Sequence, residues 1–127
     1  MACRFTELVI DCNDHHALGA FWSQVLGYDV LEQSDGPKHY YVALKGLGGA
    51  GPTILLLRTP DVKVTKNRLH IDVNATDRSQ DEEVARILEL GATRVDIGQG
   101  EQSWVVLADP EGNEFCVLES TVEPHTG

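Results

Sequence analysis

A chain of 127 residues with 42% hydrophobic side chains has apolar material for one compact domain, or for two small halves sharing a core. Twenty acidic against ten basic residues give a formal charge of −10, a field that repels phosphates and draws cations, so neither nucleic acid nor an anionic membrane is expected as a partner. Three cysteines, Cys3, Cys12 and Cys116, form no CxxC pair or even framework, and no stretch reads as a membrane span or secretory leader; a reduced, cytoplasmic setting is expected.

In chain order, "FTELVIDC" alternates as a strand does, with Leu8, Ile10 and Cys12 on one face and Glu7, Val9 and Asp11 on the other. Asp14 stands where a helix N-cap belongs, Leu18, Phe21, Trp22, Val25 and Leu26 recur at helical spacing, and Gly27 supplies the left-handed stop. His15 and His16 fall in the first helical turn and are expected to be exposed. Three strands follow, "YDVLEQ", "HYYVALKG" and "TILLLRT", separated by "SDGPK" and "GLGGAGP". Alternation sends Tyr40 and Tyr41 to opposite faces without saying which faces a binding site. "GLGGAG" spells GxGxxG, but Pro52 and an apolar strand follow where a nucleotide-binding turn needs a helix, so it reads as a connecting loop.

After the basic connector "DVKVTKNR", a solvated linker by default and an anion clamp by the minority reading, the order starts again. "LHIDVNA" reads as a strand with His70, Asp72 and Asn74 on one face and Leu69, Ile71 and Val73 on the other. Asp77 with Gln80 resembles a capping box, Val84, Ile87 and Leu88 make a helical stripe, and Gly91 ends it. "TRVDI", "SWVVLA" and "EFCVLES" are three more strands, the last two joined by the turn "DPEGN"; the tail "TVEPHTG" is expected to be loose. The chain is thus βαβββ written twice, with module one at about 4–60 and module two at about 67–120. A shift of 63 matches Glu7 to His70 and Asp14 to Asp77, and is preferred over the shift of 61 that matches "VIDCN" to "HIDVN". Helices covering one face of each sheet would leave the polar rows to line a hollow.

"FTELVIDCNDHHALGAFWSQVLGYDV", "KNRLHIDV" and above all "LADPEGNEFCVLE" resemble the vicinal oxygen chelate superfamily of glyoxalases, extradiol dioxygenases, fosfomycin thiol transferases and bleomycin-binding proteins, and its glyoxalase-like branch in particular. The resemblance implies an α+β fold, two tandem βαβββ modules forming a U-shaped, half-barrel mixed sheet with helices on the outer face, in a single domain over residues 1–127, and a homodimer. It implies metal-ligand positions at Glu7, His70 and Cys116, the last standing where glutamate is usual. The fourth position falls near Leu56, in a strand with no acid or histidine.

Two functions follow as expectations. One is a cytoplasmic, metal-dependent lyase or isomerase on a vicinal-oxygen substrate, with Glu7 and His70 as catalytic residues and zinc held by Glu7, His70 and Cys116. The other is a metal-free protein that binds or sequesters a cationic small molecule, as the bleomycin-resistance relatives do; the composition of the ligand set favours no cofactor over zinc. Asp11, Asp72, Asn74 and Trp104 are the further cleft-binding candidates, although a tryptophan and a thiol in "FCVL" read by default as core.

Overall fold

A computed structural model of the chain describes residues 2–124. The chain divides between Val62 and Lys63 into two compact units. The first holds β1 (Glu7–Cys12), α1 (His15–Leu26), β2 (Asp29–Asp35), β3 (Tyr40–Lys45) and β4 (Thr53–Arg58); its sheet runs β1-β4-β3-β2, with β1 parallel to β4 and the other pairs antiparallel. The second holds β5 (Ile71–Val73), α2 (Gln80–Leu90), β6 (Thr93–Arg94), β7 (Val105–Ala108) and β8 (Glu114–Val117) in the order β5-β8-β7-β6, again with the first strand parallel to the last. The βαβββ unit read twice from the sequence is present twice, and the fold is α+β.

In the first unit, α1 starts where Asp14 accepts a hydrogen bond from Ala17 N at 3.0 Å, and stops at Gly27, whose φ of 67° is the left-handed conformation that favours glycine. Its buried face of Leu18, Phe21 and Trp22 lies against β3 and β4, where Val42, Leu44, Ile54 and Leu56 are also buried. Burying each such side chain stabilises the fold by roughly 1.5–3 kcal/mol, which makes this stripe the main reason the helix sits there. Gly19 lets helix and sheet approach: a Cβ there would meet Val42 Cγ1 at 2.9 Å. Burial alternates along β1 as expected, Cys12 being buried while Glu7, Val9 and Asp11 are exposed. Strand β2 carries a bulge between Val30 and Glu32, so that Leu31 is an extra residue opposite β3.

The second unit differs from the expectation at the α2 cap, in β5, in β6, which keeps only Thr93–Arg94 of "TRVDI", and in the tail. The capping box of α2 is Ser79 with Glu82, not Asp77 with Gln80: Ser79 Oγ accepts from Glu82 N at 3.2 Å and Glu82 Oε1 accepts from Ser79 N at 3.1 Å. Asp77 instead pairs with the neighbouring Arg78, and Gln80 donates to Ser103 O and Val117 O. Strand β5 keeps only three residues, because Leu69 is 83% exposed and Asn74 leaves the ladder to donate its side-chain amide to Ser120 O. The tail is tied down as far as Val122, whose N–H donates to Ala75 O, and by Thr121 Oγ1, which donates to Arg78 O; residues 125–127 lie outside the described part.

The repeat register also changes. Thr59 N donates to Cys12 O at the end of β1, and Leu118 N donates to Val73 O at the end of β5. Cys12 and Val73 are therefore equivalent, a shift of 61 (73 − 12), and His70 matches Val9 instead of Glu7. The shift reaches 65 at the helix caps Asp14 and Ser79 (79 − 14), because the second connector is four residues longer. Matching caps to caps hid that insertion.

Candidate functional site

Each unit carries one constellation on the sheet. In the first unit, Glu7 and Thr53 are neighbours on the parallel pair β1 and β4, while Tyr41 faces Leu57, and Ala43 faces Leu55, across β3 and β4. These side chains, with Leu31, Glu32 and His39, line a cavity of about 360 Å³. That volume lies within the range of small-molecule sites. The walls are mixed by construction. Leu55 and Leu57 alternate with the buried Ile54 and Leu56, so β4 gives one apolar row to the core and another to the cavity. The bulge lets the consecutive residues Leu31 and Glu32 both reach the cavity, where plain alternation would have turned one away.

The polar groups of the cavity are set by one short contact. Tyr41 Oη donates to Glu32 Oε1 at 2.6 Å, and this hydrogen bond is the main reason the phenol is held above its ordinary 10.0. Tyr41 thus stays a neutral donor that engages one oxygen of Glu32. Glu7 has no ion-pair partner among the described residues. Two carboxylates above an apolar wall favour a guest that brings positive charge or hydrogen-bond donors, and disfavour an anion.

In the second unit, His70, Asp72 and Cys116 offer three ligand atoms within 4.8 Å of one another. Asp72 and Cys116 are partners on β5 and β8, and His70 Nε2 lies 3.2 Å from Asp72 Oδ1. Cys116 is 6% exposed, whereas the side chains of His70 and Asp72 are about half exposed. Burial, then the charge of Asp72, pushes the thiol above its ordinary 9.0 against a weaker pull from Lys66. Without a metal, Cys116 is a protonated thiol beside a carboxylate and a poor nucleophile. As a donor set, imidazole, carboxylate and thiolate suit zinc with an open position; a sulfur ligand suits an oxygen-preferring ion less well. Metal binding would have to displace the thiol proton.

The predicted residues fall as follows. Glu7 lines the cavity of the first unit, and Asp11 is exposed on the same face of β1. His70 and Cys116 come together in the second unit, and the carboxylate beside them there is Asp72, which had been assigned to cleft binding only. Asn74 Nδ2 donates to Ser120 O. Trp104 is 37% exposed and lies just before β7, so the core expectation for it fails. The first-module position placed near Leu56 corresponds to Leu57: Leu57 pairs with Asp11 as Cys116 pairs with Asp72, while Leu56 is fully buried. Lys63 is no anion clamp, since its Nζ sits 2.8 Å from Glu114 Oε2 and also donates to Thr65 O. Sequence reasoning left Tyr41 undecided against Tyr40 and missed Glu32, His39 and Thr53. Alternation along β3 and β4 held the signal for Tyr41 and Thr53; nothing announced the bulge that brings in Glu32.

"DPEGN" proves to be a structural device. Asp109 is buried and its Oδ1 accepts from Glu111 N and Asn113 N, while Asn113 Nδ2 donates to both carboxylate oxygens. Glu114 then holds the connector by accepting from Asn67 N and Lys63 Nζ.

A family model described as a glyoxalase-like domain matches residues 7–118. No curated protein matches the chain. Among solved structures, the fosfomycin resistance protein FosX from Mesorhizobium loti is similar with a TM-score of 0.72 at 13% identity, covering 96% of this chain and 95% of that one. FosX from Listeria monocytogenes, complexed with Mn(II) and sulfate ion, is similar with a TM-score of 0.72 at 19% identity, covering 98% of each chain. A glyoxalase/bleomycin resistance protein/dioxygenase family enzyme from Burkholderia phytofirmans PsJN gives a TM-score of 0.60 at 20% identity, covering 88% and 94%. At these identities the likeness speaks for the fold.

Proposed function

Given that the chain belongs to the glyoxalase-like domain family, we propose that it is a small-molecule-binding protein whose first-unit cavity holds a cationic or neutral, hydrogen-bond-donating organic guest. The observation that carries this reading is the pairing of Glu7 and Glu32 with an apolar wall of Leu55 and Leu57. A phosphonate or other anionic guest suits those carboxylates poorly, and the formal charge of −10 adds long-range repulsion. Titration calorimetry with matched ammonium, neutral and phosphonate versions of one aromatic compound tests it. Saturable, salt-weakened binding of the ammonium compound is expected, at least fivefold weaker in Glu7→Gln and in Glu32→Gln but unchanged in Glu89→Gln on the exposed face of α2. Tighter binding of the phosphonate, or no response to either cavity substitution, overturns it.

A second reading, a metal-dependent lyase or isomerase, is favoured by the His70, Asp72 and Cys116 cluster. Zinc held there would supply a Lewis acid that polarises a substrate carbonyl. Cobalt substitution separates this reading from simple binding: a thiolate-to-cobalt charge-transfer band that vanishes in Cys116→Ser supports it. The lack of a disulfide among the described residues supports a cytoplasmic setting. Among the described residues no helix is long and apolar enough to cross a membrane. The exposed Val30 and Leu31 on edge strand β2 support a homodimer, which sedimentation equilibrium would test.

A further inference from the structure

We propose that His15, His16 and Asp35 form a second, separate binding site for a divalent transition metal, at the N-terminus of α1. The two imidazoles converge on one atom: His15 Nε2 lies 2.8 Å and His16 Nε2 2.7 Å from Asp35 Oδ1. All three ligand atoms lie within 4.8 Å of one another. Adjacent residues at the start of a helix do not ordinarily aim at the same point. Here the rings lie with centroids 4.2 Å apart and tilted by 37°, and the carboxylate is delivered by the last residue of β2.

The site is anchored on one side and open on the other. His15 is 4% exposed and meets Tyr40 edge-on, while the Arg58 guanidinium lies 3.7 Å above the Tyr40 ring. Tyr40 in turn is the β3 partner of Asp35. His16 and Asp35, by contrast, have side chains 50% and 62% exposed. A tetrahedral ion with bonds of about 2.0–2.1 Å needs donors about 3.3 Å apart. The present spacings are those of hydrogen bonds, so an opening of about half an ångström admits the ion, and the two exposed ligands are free to supply it.

Charge and donor type select the cation. Two imidazoles and a carboxylate suit zinc, cobalt, nickel or copper, and not magnesium or calcium. His15 Nδ1 is buried without a hydrogen-bond partner among the described residues. Metal-ligating histidines normally give this second nitrogen to an acceptor, and loss of such a partner weakens metal binding about 10–100-fold. The site is accordingly a weak, exchangeable one and not a structural zinc centre.

Cobalt(II) titration of the untagged full-length protein, followed by visible absorption, tests this. Because the other cluster also offers ligands, the titration is done in His70→Ala/Cys116→Ser. That protein is expected to take up one cobalt with ligand-field bands and no sulfur charge transfer. Zinc should shift the ring C–H resonances of His15 and His16. His16→Ala and Asp35→Asn change exposed side chains only, and each should weaken the metal at least tenfold; His15→Ala, at a buried position, is informative only if it folds. Absence of cobalt binding in the double variant, or unchanged affinity in both His16→Ala and Asp35→Asn, overturns the proposal.

Discussion

Gly19→Ala sets two effects of similar size against each other. In the interior of an exposed helix the change stabilises by about 1 kcal/mol, because alanine loses less backbone entropy than glycine. At position 19 the added methyl would lie 2.9, 3.0 and 3.3 Å from the Cγ1, Cβ and Cγ2 atoms of Val42, which is 3% exposed in the middle of β3. Val42 is flanked by β2 and β4 and cannot swing aside, so the sheet or the helix must shift, and overpacking of this kind costs about 1–3 kcal/mol. The contact wins: Gly19→Ala should be destabilised by about 0–2 kcal/mol, read as a lower urea midpoint at unchanged slope. Val42→Ala alone should cost about 2 kcal/mol from lost burial and a cavity. In the double variant the new methyl fills part of that space, so its loss should fall short of the sum by about 1 kcal/mol or more. A Gly19→Ala protein that is stabilised by about 1 kcal/mol, or a double variant that is strictly additive, would refute the claim that helix and sheet touch at this point.

Two further measurements address the second unit. Burial alone would raise the Glu114 carboxyl, but hydrogen bonds from Asn67 N and Lys63 outweigh it and hold the group below its ordinary 4.5. A folded value below the unfolded one gives stability that is present above about 4.5 and is lost as pH falls through the folded value; thermal unfolding of Glu114→Gln should therefore show a flatter acid limb than the parent, and parallel limbs would contradict the assignment. Among the cysteines, exposed Cys3 should react with a thiol reagent at neutral pH well before Cys116, and Asp72→Asn should speed labelling of Cys116 by removing the charge that disfavours its thiolate; mass mapping after timed quenching reads both, and faster labelling of Cys116 than Cys3 counts against the environment described.

The sequence carried most of the architecture because its signals were local. Asp14, the stripe from Leu18 to Leu26 and Gly27 each act within one helix, and each is found in its expected role. What it hid depended on partners distant in sequence. Whether Tyr40 or Tyr41 faced the cavity depended on which face α1 covers, and the helix took Val42 and Leu44. The burial of His15 depended on Tyr40 folding back beneath it, 25 residues on (40 − 15). The cap of α2 was misread because Asp77 and Ser79 both suit that role, and only Glu82, three residues beyond Ser79, closes the reciprocal bond. As for the candidate site, Glu7, His70 and Cys116 were named from the resemblance, but the company each keeps was not. Glu7 stands with Glu32 and Tyr41, and Cys116 with Asp72.

The bulge at Leu31 has an evolutionary reading. Deleting that one residue would restore plain alternation to β2 and exchange an aliphatic neighbour for none, while the ladder on either side, Val30 with Leu44 and Glu32 with Ala43, could close without moving β3 or β4. A single codon gained or lost at a sheet margin thus resizes the chamber and leaves its foundations alone. Descendants of one scaffold can diverge in what they accept by this route long before their cores change.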